Sequence, residues 1–197
     1  MVLSLTMAVA RDDDARELAH GLRTRNPELL EHLVGKYQYR LLRYLVALTA
    51  NPILAEDLFQ ETWLRVLERG RQYKPEYRFE SWLFTIARNL FLDRVRRKPE
   101  VGLGALGGDD EGEFDVADPS TPSPYDSYRR TEESQGLQRA LLGLSAIYRE
   151  VLVLRFQEDL GLEEIAAVTG SGLSTVKSRL YRGLAALEQQ LHPGGRA

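Results

Sequence analysis

An all-α fold of two small helical domains is what the sequence predicts, and three observations predict it. Apolar residues recur at three- and four-residue steps through most of the 197 residues. No stretch alternates with the two-residue period of a strand. A Gly-, Pro- and Asp-rich segment divides the helical stretches into two groups, and its composition cannot bury enough apolar surface to order itself. The divisions that follow are an N-terminal extension (1–27) with room for a short helix, a first domain (28–98), a flexible acidic linker (99–126) and a second domain (127–197).

In the first domain, residues 28–50 set Leu30, Val34, Tyr37, Leu41, Tyr44, Leu45 and Leu48 at helical spacing. Asn51 and Pro52 stop that helix and start the next, as N-cap and first helical residue. The second helix, to about Arg69, puts Ala55, Leu58, Phe59, Thr62, Trp63 and Val66 on one side and Glu56, Asp57, Gln60, Glu61 and Glu68 on the other; Gly70 ends it. A polar, aromatic connector leads to a third helix from about Phe79 to Arg97, with Leu83, Ile86, Ala87 and Leu90 inward. Beyond the linker, residues 128–143 read as a weaker helix. Ser145 then caps AIYREVLVLRFQ, and LEEIAAVTG, a break at SGL and STVKSRLYRGLAALEQQL follow.

The net charge of −3 conceals a division along the chain. Residues 28–98 carry 13 basic and nine acidic side chains, residues 99–136 two and ten, and residues 137–197 seven and six. A basic block and a near-neutral one are thus joined by an acidic bridge. With no Cys there is neither a disulfide framework nor a Cys-ligated zinc. No apolar run approaches the roughly 20 residues of a membrane span, so no membrane insertion is expected. MVLSLTMAVA has no leading basic residue and precedes three Asp, a poor signal peptide, and a cytoplasmic location follows. The three His are scattered, GxSxG and P-loop motifs are absent, and GLGALGG follows no strand. Neither an enzyme nor a bound cofactor or metal is expected.

Residues 162–187 carry the most specific motif. A short helix ends at Gly170, a tight turn follows and a longer helix begins near Ser174, which is helix-turn-helix grammar. In the longer helix Val176, Leu180, Leu184, Leu187 and Leu191 face a core, while Thr175, Ser178, Arg179 and Arg182 share the opposite face with Lys177 beside them. Arg pairs bidentately with guanine and Lys and Ser hold phosphate, so this face suits a duplex; the bland alternative is a solvated face of a helical hairpin. Residues 71–98 interleave Tyr73, Tyr77 and Phe79 with Lys74, Arg78, Arg94, Arg96, Arg97 and Lys98, a mixture that suits unstacked bases. Trp82 and Phe84 read equally well as core. In AEDLFQETW the carboxylates of Asp57 and Glu61 stand four apart, which repels like charges and reads as a solvated acidic face or a site for a basic partner helix.

Taken together, these stretches resemble an RNA polymerase sigma factor of the extracytoplasmic-function (ECF) group of the sigma-70 family. AEDLFQETWLRVLE resembles the core-binding helix of region 2, FESWLFTIARNLFLDRVRRK its melting and −10-recognition segment, and LEEIAAVTGSGLSTVKSRLYRGL the region 4 helix-turn-helix that reads the −35 element. The resemblance implies that Asp57, Gln60 and Glu61 meet core RNA polymerase. It puts Tyr73, Lys74, Tyr77, Arg78, Arg88, Asn89, Arg94 and Arg97 at single-stranded −10 DNA, and Thr175, Lys177, Ser178, Arg179 and Arg182 at the −35 duplex. It also implies that the acidic bridge threads the polymerase's RNA channel and that an anti-sigma factor is a partner. The chain departs from the family where Pro and Gly usually stand in the turn: here stand Gly172 and Ser174, and Ser174 is expected to cap the recognition helix. Two rival readings remain. One is a stand-alone helix-turn-helix regulator whose N-terminal helices sense a ligand or dimerise; the other is a helical adaptor without a nucleic-acid role.

Overall fold

A computed structural model describes residues 14–97 and 132–192, all α-helix, turn or short helical variant with no strand among them. The acidic linker expected at 99–126 lies outside the described residues. Helix α1 covers 14–24, the described part of the expected N-terminal extension that precedes α2, and its Ala19 and Leu22 are buried in the core of the first domain.

Helix α2 (Pro27–Thr49) starts one residue earlier than the apolar spacing suggests, because Asn26 is its cap. The Asn26 Oδ1 accepts from the amides of Glu28 and Leu29 at 2.9 and 3.3 Å, satisfying two of the donors a helix start leaves open. Ala50, in the left-handed region at φ 51°, ends the helix. Asn51 then caps α3 (Pro52–Arg69) by accepting from the Leu54 amide at 3.1 Å, as the Asn-Pro pair predicts. The inner face of α3 is Ala55, Leu58, Thr62, Trp63 and Val66.

Gly70 is the C-cap at which α3 ends, as expected, but the chain does not turn away there. Its φ of −53° is right-handed, and a 3-10 turn over Gly70–Gln72 carries on from α3. What requires glycine there is α1: a Cβ on Gly70 would lie 2.5 Å from the Leu22 carbonyl oxygen. Helix α4 (Phe79–Arg97) buries Phe79, Leu83, Phe84, Ile86, Ala87, Phe91 and Val95, while Leu90, expected inward, is only half-buried.

After the linker come α5 (Glu132–Leu142), α6 (Ala146–Leu152), a π-turn (Val153–Gln157), α7 (Leu162–Thr169) and α8 (Leu173–Leu191). Three expectations need correction. Ser145 precedes α6 but makes no capping bond, and its hydroxyl is buried without a partner among the described residues. Helix α8 starts at Leu173 with Gly172 as its cap residue, so Ser174 lies inside the first turn and caps nothing. Leu184 and Leu191, expected in the core, are 38% and 41% exposed. A periodic stripe is buried only where another element lies against it: α6 fits closely at Gly183, where a Cβ would stand 3.2 Å from Tyr148 Cβ, and Val176 is fully covered, but the C-terminal half of α8 is left partly open.

The two groups of helices are docked, not apart. Helix α2 packs on α6 and α4 on α7, so the buried residues of both form one contiguous cluster. The sequence left them free to separate; the structure closes them on each other.

The turn between α7 and α8 depends on one backbone conformation. Gly170 has φ 61°, and its amide bonds back to the Ala166 carbonyl. A Gly170→Ala substitution meets no neighbour but forces an L-residue into the left-handed region, and a loss of about 1 kcal/mol is expected. Chemical denaturation of the two proteins side by side checks this.

Candidate nucleic-acid interface

Helices α7 and α8 form the helix-turn-helix. The Gly161 amide donates to Glu164 Oε2 at 2.7 Å, which caps α7 from within its own first turn. Buried Ile165, Val168 and Thr169 seat that helix, and Val176 and Gly183 seat α8. With that face inward, Thr175, Lys177, Ser178 and Arg182 are exposed together on the other side. Arg179 is half-buried instead, and its Nη1 donates to Ser171 Oγ at 2.9 Å. The cap of α8 uses no side chain, so the first amides of α8 have no side-chain acceptor, a favourable place for a phosphate.

The connector before α4 is held by an aromatic cluster. The Tyr73 ring lies 5.3 Å from Trp82 and 5.9 Å from Phe79, and Phe79 lies 5.2 Å from Tyr37. The Tyr73 hydroxyl donates to the Tyr77 carbonyl at 2.8 Å, and burial, with Glu80 and Glu76 nearby, pushes its pKa up to about 12. Tyr73 is thus a buried support. The ring it presents is Tyr77, 64% exposed, beside exposed Lys74. Asn89 and Arg97 are exposed on α4, while Arg94 lies 3.8 Å from Glu61. On α3, Asp57 and Gln60 are exposed, and Glu61 is half-buried between Arg65 and Arg94.

The remaining two expected DNA contacts, Arg78 and Arg88, are engaged by the other domain. Arg88 Nε donates to Glu150 Oε1 at 2.8 Å, and the Tyr44 hydroxyl donates to the same oxygen at 3.0 Å. Burial pushes Glu150 above the ordinary carboxyl value, and Arg88 and Tyr44 draw it only part of the way back. Arg78 lies 3.5 Å from Glu164 and donates to the Asp159 carbonyl at 3.2 Å. Sequence reasoning missed a second pair of cations beside them: Arg40 and Arg43 donate to the buried Glu158, at 2.8 and 2.7 Å. Glu80 completes the group. Burial alone would raise it, but its own amide, the Tyr37 hydroxyl, Arg78 and Arg40 outweigh that and hold it below the ordinary value. The available signal was a charged residue inside an apolar register, Glu150 in YREVLVLRF; nothing in the sequence says which cation it meets.

Among the described residues no group of acidic or His side chains could hold a metal, and no helix is long and apolar enough to cross a membrane.

Residues 33–99 match the family model for Sigma-70 region 2, and residues 134–187 the one for Sigma-70, region 4. The chain is 38% identical over 161 residues to the ECF RNA polymerase sigma factor SigE of Mycolicibacterium smegmatis, covering 82% of this chain but 61% of that protein. It is 33% identical over 164 residues to the ECF RNA polymerase sigma factor SigW of Bacillus subtilis, covering 81% and 87%. Among solved structures, the sigma factor RpoE of Bartonella quintana, crystallised with the anti-sigma factor NepR, matches with a TM-score of 0.63 at 26% identity, covering 84% of this chain and 98% of that one.

Proposed function

The chain belongs to the sigma-70 family, in its ECF group, and from that premise we propose how its surface divides the work of starting transcription. It lends promoter specificity to core RNA polymerase and performs no chemistry of its own, acting in the cytoplasm. Asp57, Gln60 and Glu61 on α3 dock on the core enzyme. Tyr77 and Lys74, steadied by Tyr73, take up an unstacked base of the −10 strand, with Arg78, Arg88, Asn89, Arg94 and Arg97 along its backbone. Capturing such a base offsets a few kcal/mol of unstacking. Thr175, Lys177, Ser178, Arg179 and Arg182 lie in the −35 major groove. An anti-sigma factor is a further partner, a reading supported by the Bartonella sigma factor matched in such a complex.

The observation that carries this reading is the pairing, in one chain, of a helix-turn-helix with exposed Thr175, Lys177, Ser178 and Arg182 and an aromatic loop whose outermost ring, Tyr77, stands clear of the core. Run-off transcription with purified core polymerase tests it. The wild-type chain is expected to give core-dependent initiation from a −35/−10 promoter. An Arg179→Ala/Arg182→Ala variant should lose at least about tenfold, since one bidentate base contact contributes roughly 1–3 kcal/mol. Initiation that is unaffected by the double substitution places −35 recognition elsewhere. Tight binding of duplex by the chain alone, with no initiation on adding core, would instead make it a stand-alone regulator.

A further inference from the structure

We propose that helix α1 and the turn after α3 together form a second grip on promoter DNA, a cationic cleft that holds the sugar–phosphate backbone of the −10 strand beside the captured base. This rests on the sigma-factor reading for the strand's presence at Tyr77; the cleft itself is drawn from the geometry around Gly70. Helix α1 lies ahead of the residues that match Sigma-70 region 2, which begin at 33. Its last turn abuts the Gly70–Gln72 turn so closely that a Cβ on Gly70 would meet the Leu22 carbonyl. Around this contact opens a cleft of about 600 Å³, with Arg23 and Arg25 on the α1 side and Leu67 and Arg71 on the other. All three arginines are exposed. Among the described residues no ion pair reaches any of them, whereas Arg65, Arg78, Arg88 and Arg94 each stand in one. The carboxylate at the rim, Glu68, is held by Arg65 at 3.2 Å and takes no part in the grip.

Arg25 is a second observation. It follows α1 in the left-handed region at φ 56°, and the Asn26 amide after it donates to the Gly21 carbonyl at 2.9 Å. That closing turn is where glycine is usual, so the fold alone is better served by glycine. What arginine adds is a charge and five donors, in the cleft that Arg71 also lines. The dipole of α1 favours a cation in its last turn, which accounts for Arg23, whose Nε donates to the Ala19 carbonyl at 3.1 Å. It does not account for Arg71, which belongs to another element. Unopposed cations in one cleft repel one another, and a bound polyanion removes that cost. Position names the polyanion. Arg71 stands just before Tyr73 and Lys74, so the cleft leads directly into the loop that presents Tyr77. The face assigned to core polymerase, with exposed Asp57 and Gln60, is acidic and selects a basic partner; this cleft selects the strand whose base Tyr77 stacks. Guanidinium groups so placed hold phosphate and read no sequence.

Strand binding by the full chain on core polymerase tests the cleft. The probe is a fluorescent single strand that carries the −10 box and flanking nucleotides on both sides, titrated across a salt series. Each phosphate contact to a single strand contributes about 0.7 to the slope of log K against log salt. An Arg25→Gly/Arg71→Gln variant is expected to bind about tenfold more weakly near ~0.1 M salt, with a slope smaller in magnitude by about 1.4. The loss should be equal on strands whose flanking bases are scrambled. This variant should melt no lower than the wild type, because glycine suits the left-handed position, and it should co-purify with core polymerase as fully. An Arg25→Lys/Arg71→Lys variant, which keeps both charges, should restore the slope. Unchanged strand affinity and slope overturn the cleft, and so does a loss confined to one flanking sequence. Failure to co-purify with core would make the arginines a polymerase contact, and early melting would make them part of the fold; either result overturns the proposal. Failure of the sigma-factor reading is separate, and is read as absence of core-dependent run-off product from the wild-type chain.

Discussion

Asp57→Lys leaves the melting of the chain within about 0.5 kcal/mol of the parent and lowers core-dependent transcription by about tenfold to a hundredfold. Asp57 is exposed, and no ion pair within the described residues involves it, so the fold loses nothing when its charge is reversed. Docking loses twice: an attractive contact disappears and a like charge is set against the basic partner that an acidic face selects, a juxtaposition that costs several kcal/mol in a packed interface. Glu61 is a poorer probe of the same surface, because it also lies near Arg65 and Arg94 and its loss disturbs α4. Glu68→Lys on the same helix is the control; Glu68 is exposed near the far end of α3 and, among the described residues, pairs only with Arg65, at 3.2 Å. Co-purification with core polymerase and run-off transcription, each beside a thermal melt, decide the matter. Equal losses from Glu68→Lys and Asp57→Lys would mean that overall charge, not a docking site, governs association.

The helices were legible because each advertises itself locally. The Tyr37, Leu41, Tyr44, Leu45, Leu48 register of α2 and the Asn51-Pro52 boundary are properties of neighbouring residues, and the structure keeps them; Leu30 and Val34, expected in the same stripe, are only half-buried, and Leu33 is buried in their place. The recognition turn was legible for the same reason, since Gly170 signals a left-handed residue. What stayed hidden depends on residues far apart in the chain. Arg40 and Glu158 are separated by 118 positions, and no periodicity links them. Leu184 and Leu191 keep helical spacing yet stay partly exposed, because spacing defines a stripe and not what covers it. Tyr73 and Tyr77 look alike in sequence as aromatic residues among cations; one is a buried prop and the other an exposed ring, and only the aromatic cluster of Phe79 and Trp82 separates them. Helix α1 was anticipated merely as room for a short helix, since its docking on Gly70 is again a long-range fact.

Two aromatic residues of that same stretch should fail in opposite ways. Phe84 is fully buried, and its ring lies 4.9 Å from Tyr44, whose hydroxyl holds Glu150. Phe84→Ala opens a cavity where α2 and α4 meet beneath region 4, and a loss of about 3–5 kcal/mol is expected. In a chain of this size that lowers the melting temperature by roughly 6–20 °C. Tyr77→Ala removes a ring that is mostly in water, and the backbone carbonyl that accepts from Tyr73 remains, so stability should move by no more than about 0.5 kcal/mol. Its effect falls on strand opening. One base–aromatic stack contributes roughly 1–3 kcal/mol, so the yield of melted promoter, followed by permanganate reactivity of the −10 thymines, drops by about tenfold or more while −35 duplex contacts persist. If Tyr77→Ala melts as early as Phe84→Ala, the loop is part of the core and not a base receptor. If it melts normally and opens promoters normally, the unstacked base is held by another side chain.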